Sequence, residues 1–213
     1  MNEEAAFLQQ VEAQSLAFLW EEPYIHWNEI LKQRLSPHRY RHVCSVTKTA
    51  IVLARRYQVS VDQARTAAFL HDCAKHNEKY YFARLLEKGV VHEQDFVPSP
   101  YFHAFLGGLV AWHLYGVHDE AVVQAIQSHT LGSEEMSPLD QVIFLADLIE
   151  PGRDFPDLAI LQRTAMKSLE EGVLKAFDNT LLYLIAKGAW IHPKALLARN
   201  AILKKVQKGR SNS

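Results

Sequence analysis

The most informative stretch of this sequence is Ala67-Ala68-Phe69-Leu70-His71-Asp72-Cys73-Ala74-Lys75. An apolar run with helical spacing ends there in an imidazole and a carboxylate that are adjacent in the chain. A buried carboxylate costs on the order of several kcal/mol unless a partner compensates its charge. Neutral imidazole and ionised carboxylate are both ligands for divalent metals such as iron, manganese and zinc. The stretch therefore predicts a helix whose buried end binds a partner, and a metal ion is the first candidate.

A second His-Asp pair, His118-Asp119, offers an internal comparison. It follows Gly116, and glycine is typical of a break between helices. In that position the Asp119 carboxylate is expected to cap the next helix by accepting hydrogen bonds from its first backbone N–H groups. The dipeptide by itself therefore predicts no metal site. The apolar setting of His71 and Asp72 is what distinguishes them.

Composition favours one domain with a large apolar core and a short extension. The chain has 213 residues, of which 48% are hydrophobic, and its formal net charge is -1. This balance argues against a nucleic-acid or membrane-surface partner, which would require a basic excess. No stretch has the roughly 18–20 apolar residues of a membrane span, and the acidic N-terminus is unlike a signal peptide. We therefore expect a cytoplasmic protein in which Cys44 and Cys73 are buried free thiols.

The spacing of apolar residues predicts an all-α protein. Ser36-Pro37, Ser60 and Ser137-Pro138 read as helix starts, because serine caps a helix and proline fits its first turn. Asp140 completes a pattern close to a capping box. No stretch alternates with period 2 between turn residues, so no strand is predicted. The predicted helices cover about residues 2–20, 27–35, 36–54, 60–72, 80–87, 101–115, 119–128, 137–147, 157–187 and 195–205.

Six ionisable residues lie on or at the ends of these apolar helices: His42, His71, Asp72, His103, His129 and Asp147. Each histidine taken alone is more often a structural imidazole with one hydrogen bond. Asp147, within Phe144-Leu145-Ala146-Asp147-Leu148-Ile149, needs a partner as much as Asp72 does. The set has chemical meaning only if the fold brings its five helices together.

In order and identity these residues resemble the HD-domain phosphohydrolases. Longer matches resemble one bacterial branch, the HD-domain diadenosine tetraphosphate hydrolases of the symmetrical kind. These matches are Arg39-Tyr40-Arg41-His42, Phe69-Leu70-His71-Asp72-x-Ala74-Lys75, His129-Thr130-x-Gly132 and Leu145-Ala146-Asp147-x-Ile149-Glu150-Pro151-Gly152-Arg153. The resemblance covers about residues 36–200. It implies an HD-domain helical bundle over 36–205, between an N-terminal helical extension over 1–35 and a basic tail over 206–213.

The resemblance implies that His42, His71, Asp72 and Asp147 hold one metal ion, most simply iron, with manganese, cobalt and zinc as alternatives. Asp72 would be able to bridge to a second metal. His103 and His129 would bind that second metal or contact the phosphate chain. Asp72, His103, His129 and Lys75 are the expected catalytic residues. The implied reaction is attack of a metal-activated hydroxide on an inner phosphorus of diadenosine tetraphosphate, which yields two ADP.

Several further residues are expected to bind this dinucleoside polyphosphate substrate or its ADP product. Arg39 lies one helical turn before His42, Lys75 stands in a similar relation to Asp72, and Arg153 follows a Pro-Gly turn. Such cations would clamp phosphates, and the Thr130 hydroxyl would contact them. The family holds the nucleoside near Trp190-Ile191-His192, so Trp190 and His192 are the expected base contacts, although tryptophan is also frequent in cores.

Three alternatives remain open from the residues alone. The first is an HD phosphohydrolase of another nucleotide, such as a deoxynucleoside triphosphate or a guanosine polyphosphate. The second is a nucleotide-binding sensor that keeps the pocket without turnover. The third is a purely structural helical bundle. The oligomeric state is also open, a homodimer included.

Overall fold

The computed structural model describes residues 3–154 and 157–211, and this part of the chain contains eleven α-helices and no strand. The all-α prediction is therefore confirmed. The helices are α1 (Glu3–Glu12), α2 (Tyr24–Arg34), α3 (Pro37–Arg56), α4 (Val61–Leu70), α5 (Glu78–Glu87), α6 (Phe102–His113), α7 (Glu120–Ser128), α8 (Pro138–Ile149), α9 (Leu158–Lys167), α10 (Leu169–Ala186) and α11 (Pro193–Ser211). Short 3-10 helices cover Ala17–Trp20 and Glu93–Asp95.

The predicted helix starts follow from local hydrogen bonds. The Ser36 hydroxyl accepts from the Arg39 backbone N–H, and the Ser60 hydroxyl accepts from that of Gln63. At the start of α8, Ser137 and Asp140 form a reciprocal capping box. Each cap satisfies a backbone donor that the first helical turn leaves without a partner. These starts were predictable because all of their partners lie within three residues in sequence.

The centre of the molecule is a bundle of α3, α4, α7 and α8. Helix α6 packs against α7 and α5. Helix α10 packs against α8, α9 and α11. Apolar residues of the central helices, among them Val46, Leu53, Leu70 and Ile143, have no exposed surface. This core fixes where each central helix ends, and those ends hold the ionisable residues.

Residues before α3 belong to the same core. Phe7 and Val11 of α1 are buried, and α1 packs against α3 and α9. Trp27 of α2 is buried and donates from its indole Nε1 to the Tyr115 carbonyl. The division into an extension over 1–35, a domain over 36–205 and a tail over 206–213 stays a prediction. None of the described helices combines the length and apolar character that crossing a membrane requires.

Three predicted helices were wrong in their extent. The stretch 2–20 holds α1 and then a separate 3-10 helix at Ala17–Trp20, and residue 2 lies outside the described residues. The stretch 157–187 is two helices, because Ser168 is extended and caps α10 through the Glu171 N–H. The last helix, predicted over 195–205, covers Pro193–Ser211 and so includes most of the basic tail. Both cysteines are free, as predicted, and Cys73 is buried, but the predicted burial was wrong for Cys44, which is half-buried.

Candidate metal centre and active site

The fold brings all six helix-end residues into one cluster. His42 lies in the second turn of α3, and His71 and Asp72 follow the last residue of α4. His103 is near the start of α6, His129 caps the end of α7, and Asp147 lies in the last turn of α8. The four histidines and Asp72 are each at most 7% exposed. Packing of five helices thus assembles a buried polar site that no single helix contains.

Asp72 lies at the centre of this cluster, and its two carboxylate oxygens face different histidines. Oδ2 is 3.5 Å from His71 Nε2 and 3.9 Å from His42 Nε2. Oδ1 is 3.3 Å from His103 Nε2 and 3.7 Å from His129 Nε2. A carboxylate placed in this way separates the cluster into a His42–His71 side and a His103–His129 side. Such a position suits a bridging ligand between two sites.

Asp147 closes the His42–His71 side. Its Oδ1 lies 3.0 Å from His42 Nε2 and 3.9 Å from His71 Nε2. His42, His71 and Asp147 form one group whose ligand atoms lie within 4.8 Å of one another, and His71, Asp72 and His129 form a second. His71 is common to both groups. The residues predicted as ligands are therefore placed together at distances suited to metal binding.

Hydrogen bonds orient the imidazoles so that Nε2 of each ligand faces the cluster. His71 Nδ1 lies 2.6 Å from the Ala68 carbonyl, and His129 Nδ1 lies 2.6 Å from the Ile126 carbonyl. A carbonyl only accepts, so each Nδ1 carries the hydrogen and each Nε2 has a free lone pair. Both bonds reach three residues back into the histidine's own helix. This is the arrangement that fixes the tautomer of a metal-binding histidine.

The environment of the His71 Nε2 atom shows whether the cluster fits a metal. This atom is buried and has no hydrogen-bond partner among residues 3–154 and 157–211. A buried lone pair without a partner is disfavoured by about 1–3 kcal/mol, so its retention requires an explanation. A divalent cation supplies one, since the neighbouring ligands are imidazole and carboxylate. The residues of this cluster fit a transition-metal ion.

The charges in the cluster also favour a cation. Burial raises the pKa of the Asp72 carboxyl, but His71 and a hydrogen bond from His103 outweigh this and hold that pKa well below its usual value. Burial likewise raises the pKa of Asp147, but the hydrogen bond with His42 and the charge of Arg153 outweigh it and lower that pKa. Burial and the neighbouring His71 lower the pKa of His129 to about 3. The two acids are therefore ionised and His129 is neutral, as ligands must be.

Two arginines flank the acids. Arg39 Nη1 lies 2.9 Å from Asp72 Oδ2, and Arg153 Nη2 contacts Asp147 Oδ1. Arg153 Nε also donates to the Asp147 backbone carbonyl at 2.6 Å. Both guanidinium groups are partly exposed, at 21% and 31% of the side chain, so they lie at the opening of the site. The predicted positions of both cations beside the ligands agree with these contacts.

Lys75 lies on the other side of the cluster. Its Nζ is 3.1 Å from His103 Nδ1 and 3.4 Å from the Pro100 carbonyl. The same Nζ lies 3.3 Å from His103 Nε2, which also faces the Asp72 carboxylate. An ammonium group only donates and its shorter contact is with Nδ1, so His103 Nδ1 accepts and His103 Nε2 carries the hydrogen. That hydrogen faces Asp72 Oδ1 and also the lone pair of His129 Nε2, which is 3.3 Å away. At the atom that faces the cluster, His103 is thus a hydrogen-bond donor, whereas His71 and His129 present an Nε2 lone pair there.

Comparison with known proteins shows to which family the chain with this set of histidines and aspartates belongs. Residues 39–152 match the HD domain family. The chain is 36% identical to the symmetrical bis(5′-nucleosyl)-tetraphosphatase of Halalkalibacterium halodurans over 82% of this chain and 94% of that protein. The chain belongs to this family of HD-domain hydrolases. The equivalent protein of Bacillus subtilis is 35% identical over 80% of this chain and 92% of its own length.

A solved structure also supports the assignment of this chain to the HD-domain hydrolases. It is the crystal structure of a predicted HD superfamily hydrolase involved in NAD metabolism from Clostridium acetobutylicum. It superposes with a TM-score of 0.75 at 31% identity, over 85% of this chain and 97% of that one. The predicted family and the HD-domain bundle are thereby confirmed.

Sequence analysis of the hydrolase missed the role of Glu150. This residue is 3% exposed, and its Oε1 accepts from His42 Nδ1 at 3.1 Å. Its Oε2 accepts from the Gly152 N–H at 2.6 Å, and a Cβ at Gly152 would lie only 2.9 Å from that oxygen. The Glu-Pro-Gly-Arg sequence therefore places one carboxylate behind His42 and one guanidinium beside Asp147. The sequence signal was present in that motif, but His42 lies 108 residues away.

The remaining predicted residues of the hydrolase lie near one opening. Thr130, next to His129, lines a cavity together with Tyr101. Trp190 is 67% exposed, and its ring lies 5.2 Å from that of His192. Tyr101 contacts both, at 4.7 Å from His192 and 6.4 Å from Trp190 between ring centroids. Tyr101 itself was not predicted, because nothing in the sequence distinguishes it from other helix-start aromatics.

Proposed function

We propose that this protein hydrolyses diadenosine tetraphosphate symmetrically to two ADP, with the buried His-Asp cluster as its active site. The observation that supports this most is the position of Asp72 between two pairs of histidines, in a chain that belongs to the symmetrical tetraphosphatases. Every proposed residue comes from one chain, so the proposal does not depend on a homodimer. It includes a cytoplasmic location without nucleic-acid or membrane partners.

His42, His71, Asp72 and Asp147 would hold a divalent transition metal, for which we propose iron, with manganese, cobalt and zinc as alternatives. His42 and His71 offer Nε2 atoms, and the two aspartates offer ionised oxygens. When bound, such a metal supplies positive charge against phosphate oxygens and hydroxide near neutral pH. Asp72 Oδ1 and His129 Nε2 would be available to a second ion, since both face the far side of the cluster.

The cations of the site would hold the polyphosphate. Arg39 and Arg153 carry their charges at one side of the opening, and Lys75 carries its charge at the other. Arginine suits this role because its planar group binds two phosphate oxygens at once. We propose that these three residues orient the chain and stabilise the charge that develops on it. Thr130 would donate its hydroxyl to the same chain.

The proposed reaction breaks the central P–O–P linkage. Water loses a proton to solvent and its oxygen forms a bond to one inner phosphorus. The bond from that phosphorus to the central bridging oxygen breaks, and the bridging oxygen leaves as a terminal phosphate oxygen of the second ADP. The Nε2–H of His103 lies 3.3 Å from Asp72 Oδ1 and Lys75 contacts the same imidazole, so we propose that both donors contact phosphate oxygens during this step. Trp190 and His192, with Tyr101, would contact one adenine, because the three rings lie together beside this opening and Trp190 is exposed.

A product assay tests the proposal. The protein is loaded with iron or manganese and incubated with diadenosine tetraphosphate, deoxynucleoside triphosphates and guanosine polyphosphates, and the products are separated by chromatography. ADP as the sole product from the dinucleotide is the expected result. Formation of ATP plus AMP, or turnover of only the other nucleotides, would contradict it. Metal analysis of the same preparation is expected to show bound transition metal, whereas none would favour a structural role.

A further inference from the structure

A cavity of about 590 Å³ lies beside the metal cluster, and none of the predicted site residues except Lys75 lines it. Its apolar wall comes from the segment that leads into α6, with Phe96, Pro98, Pro100 and Phe102. The turn after α4 and the first residues of α5 also line the cavity, with Lys75, His76, Glu78 and Lys79. Its volume is in the range of small-molecule sites, which combine apolar walls with a few polar groups.

Lys75 connects this cavity to the active site. The side chain lines the cavity, and its Nζ lies 3.1 Å from His103 Nδ1. The same Nζ donates to the Pro100 carbonyl, so the ammonium lies between the cavity wall and the cluster. A ligand that fills the cavity therefore reaches the cluster past a positive charge. This suits a ligand with an apolar part joined to phosphate.

A second, smaller cavity lies on the other side of the same segment. Its volume is about 320 Å³, and it shares Ser99 and Phe102 with the first cavity. It reaches the active site at Thr130, which follows His129, and it includes Tyr101 of the aromatic group. Two cavities thus approach the cluster from two sides, one at Lys75 and one at Thr130.

The shape of the substrate gives these two cavities a common explanation. A dinucleoside tetraphosphate carries a nucleoside at each end of its phosphate chain, and symmetrical cleavage places the reacting phosphorus near the middle. When the centre of the chain lies at Asp72, the two nucleosides extend away from the cluster in different directions. One nucleoside is proposed to bind at the opening beside Tyr101, and the second nucleoside requires a separate binding site.

We propose that the 590 Å³ cavity binds the second nucleoside of the dinucleotide, an inference that rests on the proposed function. Phe96 is half-buried and is held edge-on by Phe82 and Phe102, at 5.0 and 5.4 Å between ring centroids. A fixed aromatic ring of this kind provides a face for an adenine to stack on. Lys75 and Lys79 line the same cavity and would contact the phosphates attached to that nucleoside.

The test fills the cavity and compares ligands with one and two nucleosides. Pro98→Trp places an indole at an exposed position of the apolar wall, and Phe96→Ala removes the proposed stacking ring. Gln94→Trp is the matched control, since Gln94 is exposed on the same segment and lines neither cavity. For each metal-loaded protein we measure the KM for diadenosine tetraphosphate and the inhibition constant of ADP.

The expected result is a KM for the dinucleotide raised by at least about fivefold in Pro98→Trp and Phe96→Ala, as loss of one base stack predicts. The inhibition constant of ADP should stay within about twofold, because a ligand with one nucleoside still has the Tyr101 side. Gln94→Trp should match the wild type in both. Variants with an unchanged KM, or with both constants raised equally, would overturn the inference. Absence of ADP from the wild-type reaction would instead refute the proposed function.

Discussion

The chain contains two His-Asp pairs that the fold uses in opposite ways. His71 and Asp72 follow the C-terminal end of α4 and are 0% and 2% exposed. His118 and Asp119 precede the N-terminus of α7, where Asp119 accepts from the Ala121 and Val122 N–H groups. His118 is exposed, and its ring contacts Trp112 at 5.0 Å. The same two residue types therefore form part of a buried His-Asp cluster that could hold a metal in one place and a helix cap in the other.

The physical reason is the direction of the helix. The N-terminus of a helix presents unpaired N–H groups, which a carboxylate satisfies locally. The C-terminus presents carbonyls, which accept from an imidazole Nδ1–H but repel a carboxylate. His71 makes that bond to the Ala68 carbonyl, while Asp72 has to find positive partners elsewhere, in Arg39 and the cluster. A carboxylate at the wrong end of a buried helix is thus a sign of a distant partner.

The largest expected difference between the two His-Asp pairs is in turnover and bound metal when the carboxylate charge of each pair is removed. Asp72→Asn keeps the size of the side chain but loses the ligand charge, and we expect turnover to fall by about 10³-fold or more, with loss of bound metal. Metal content and ADP release from the dinucleotide measure this. Asp119→Asn is the control and should retain both. Unchanged turnover in Asp72→Asn would remove Asp72 from the proposed site.

A smaller effect, on metal affinity, is expected from Glu150, which contacts the proposed ligand His42. Glu150 accepts from two donors, His42 Nδ1–H and the Gly152 N–H. Glu150→Gln removes the charge and one acceptor, so metal affinity should fall by about 10–100-fold while the fold is retained. Competition with a chelator measures the affinity. Glu120→Gln, an exposed change beside Asp119, should leave it unaltered. Equal affinities in the two variants would show that Glu150 does not position His42.

The helix cap predicts a change in stability without a change in chemistry. Asp119→Ala leaves two N–H groups of α7 without their side-chain acceptor, and we expect a loss of about 1 kcal/mol in the free energy of unfolding. For a chain of this size that lowers Tm by about 2–4 °C. Thermal melting and turnover measured on the same sample test it. Loss of bound metal from this variant would contradict the contrast between the two pairs.

The smallest effect is expected at His118. Its side chain is exposed and packs only on the edge of Trp112 in the described structure. His118→Ala should change the free energy of unfolding by no more than about 0.5 kcal/mol. His71→Ala, by contrast, should lose bound metal, because His71 is common to both ligand groups. Denaturant unfolding and metal analysis of the two variants give the comparison.

Several features of this fold were predictable because their causes are local. The starts of α3, α4 and α8 depend on serine caps that bond backbone groups three residues away. The break at Ser168 was missed, since the stretch 157–187 contains no proline and its one glycine, Gly172, lies inside α10 and not at the break. The break allows α9 and α10 to pack closely, as Gly172 has room for no Cβ beside Ala165. That contact is a tertiary one, so helical periodicity carried no sign of it.

By itself, the sequence determined which residue types stand at the ends of which helices, and in what order. That was enough to predict the helical class and the six residues of the cluster. Only the tertiary structure decided that the two oxygens of Asp72 face different histidines, that Glu150 supports His42 from 108 residues away, and that the 590 Å³ cavity adjoins Lys75. Helix ends follow from hydrogen bonds between residues that are close in sequence. Which groups a carboxylate faces, and the shape of a cavity, follow from the packing of whole helices.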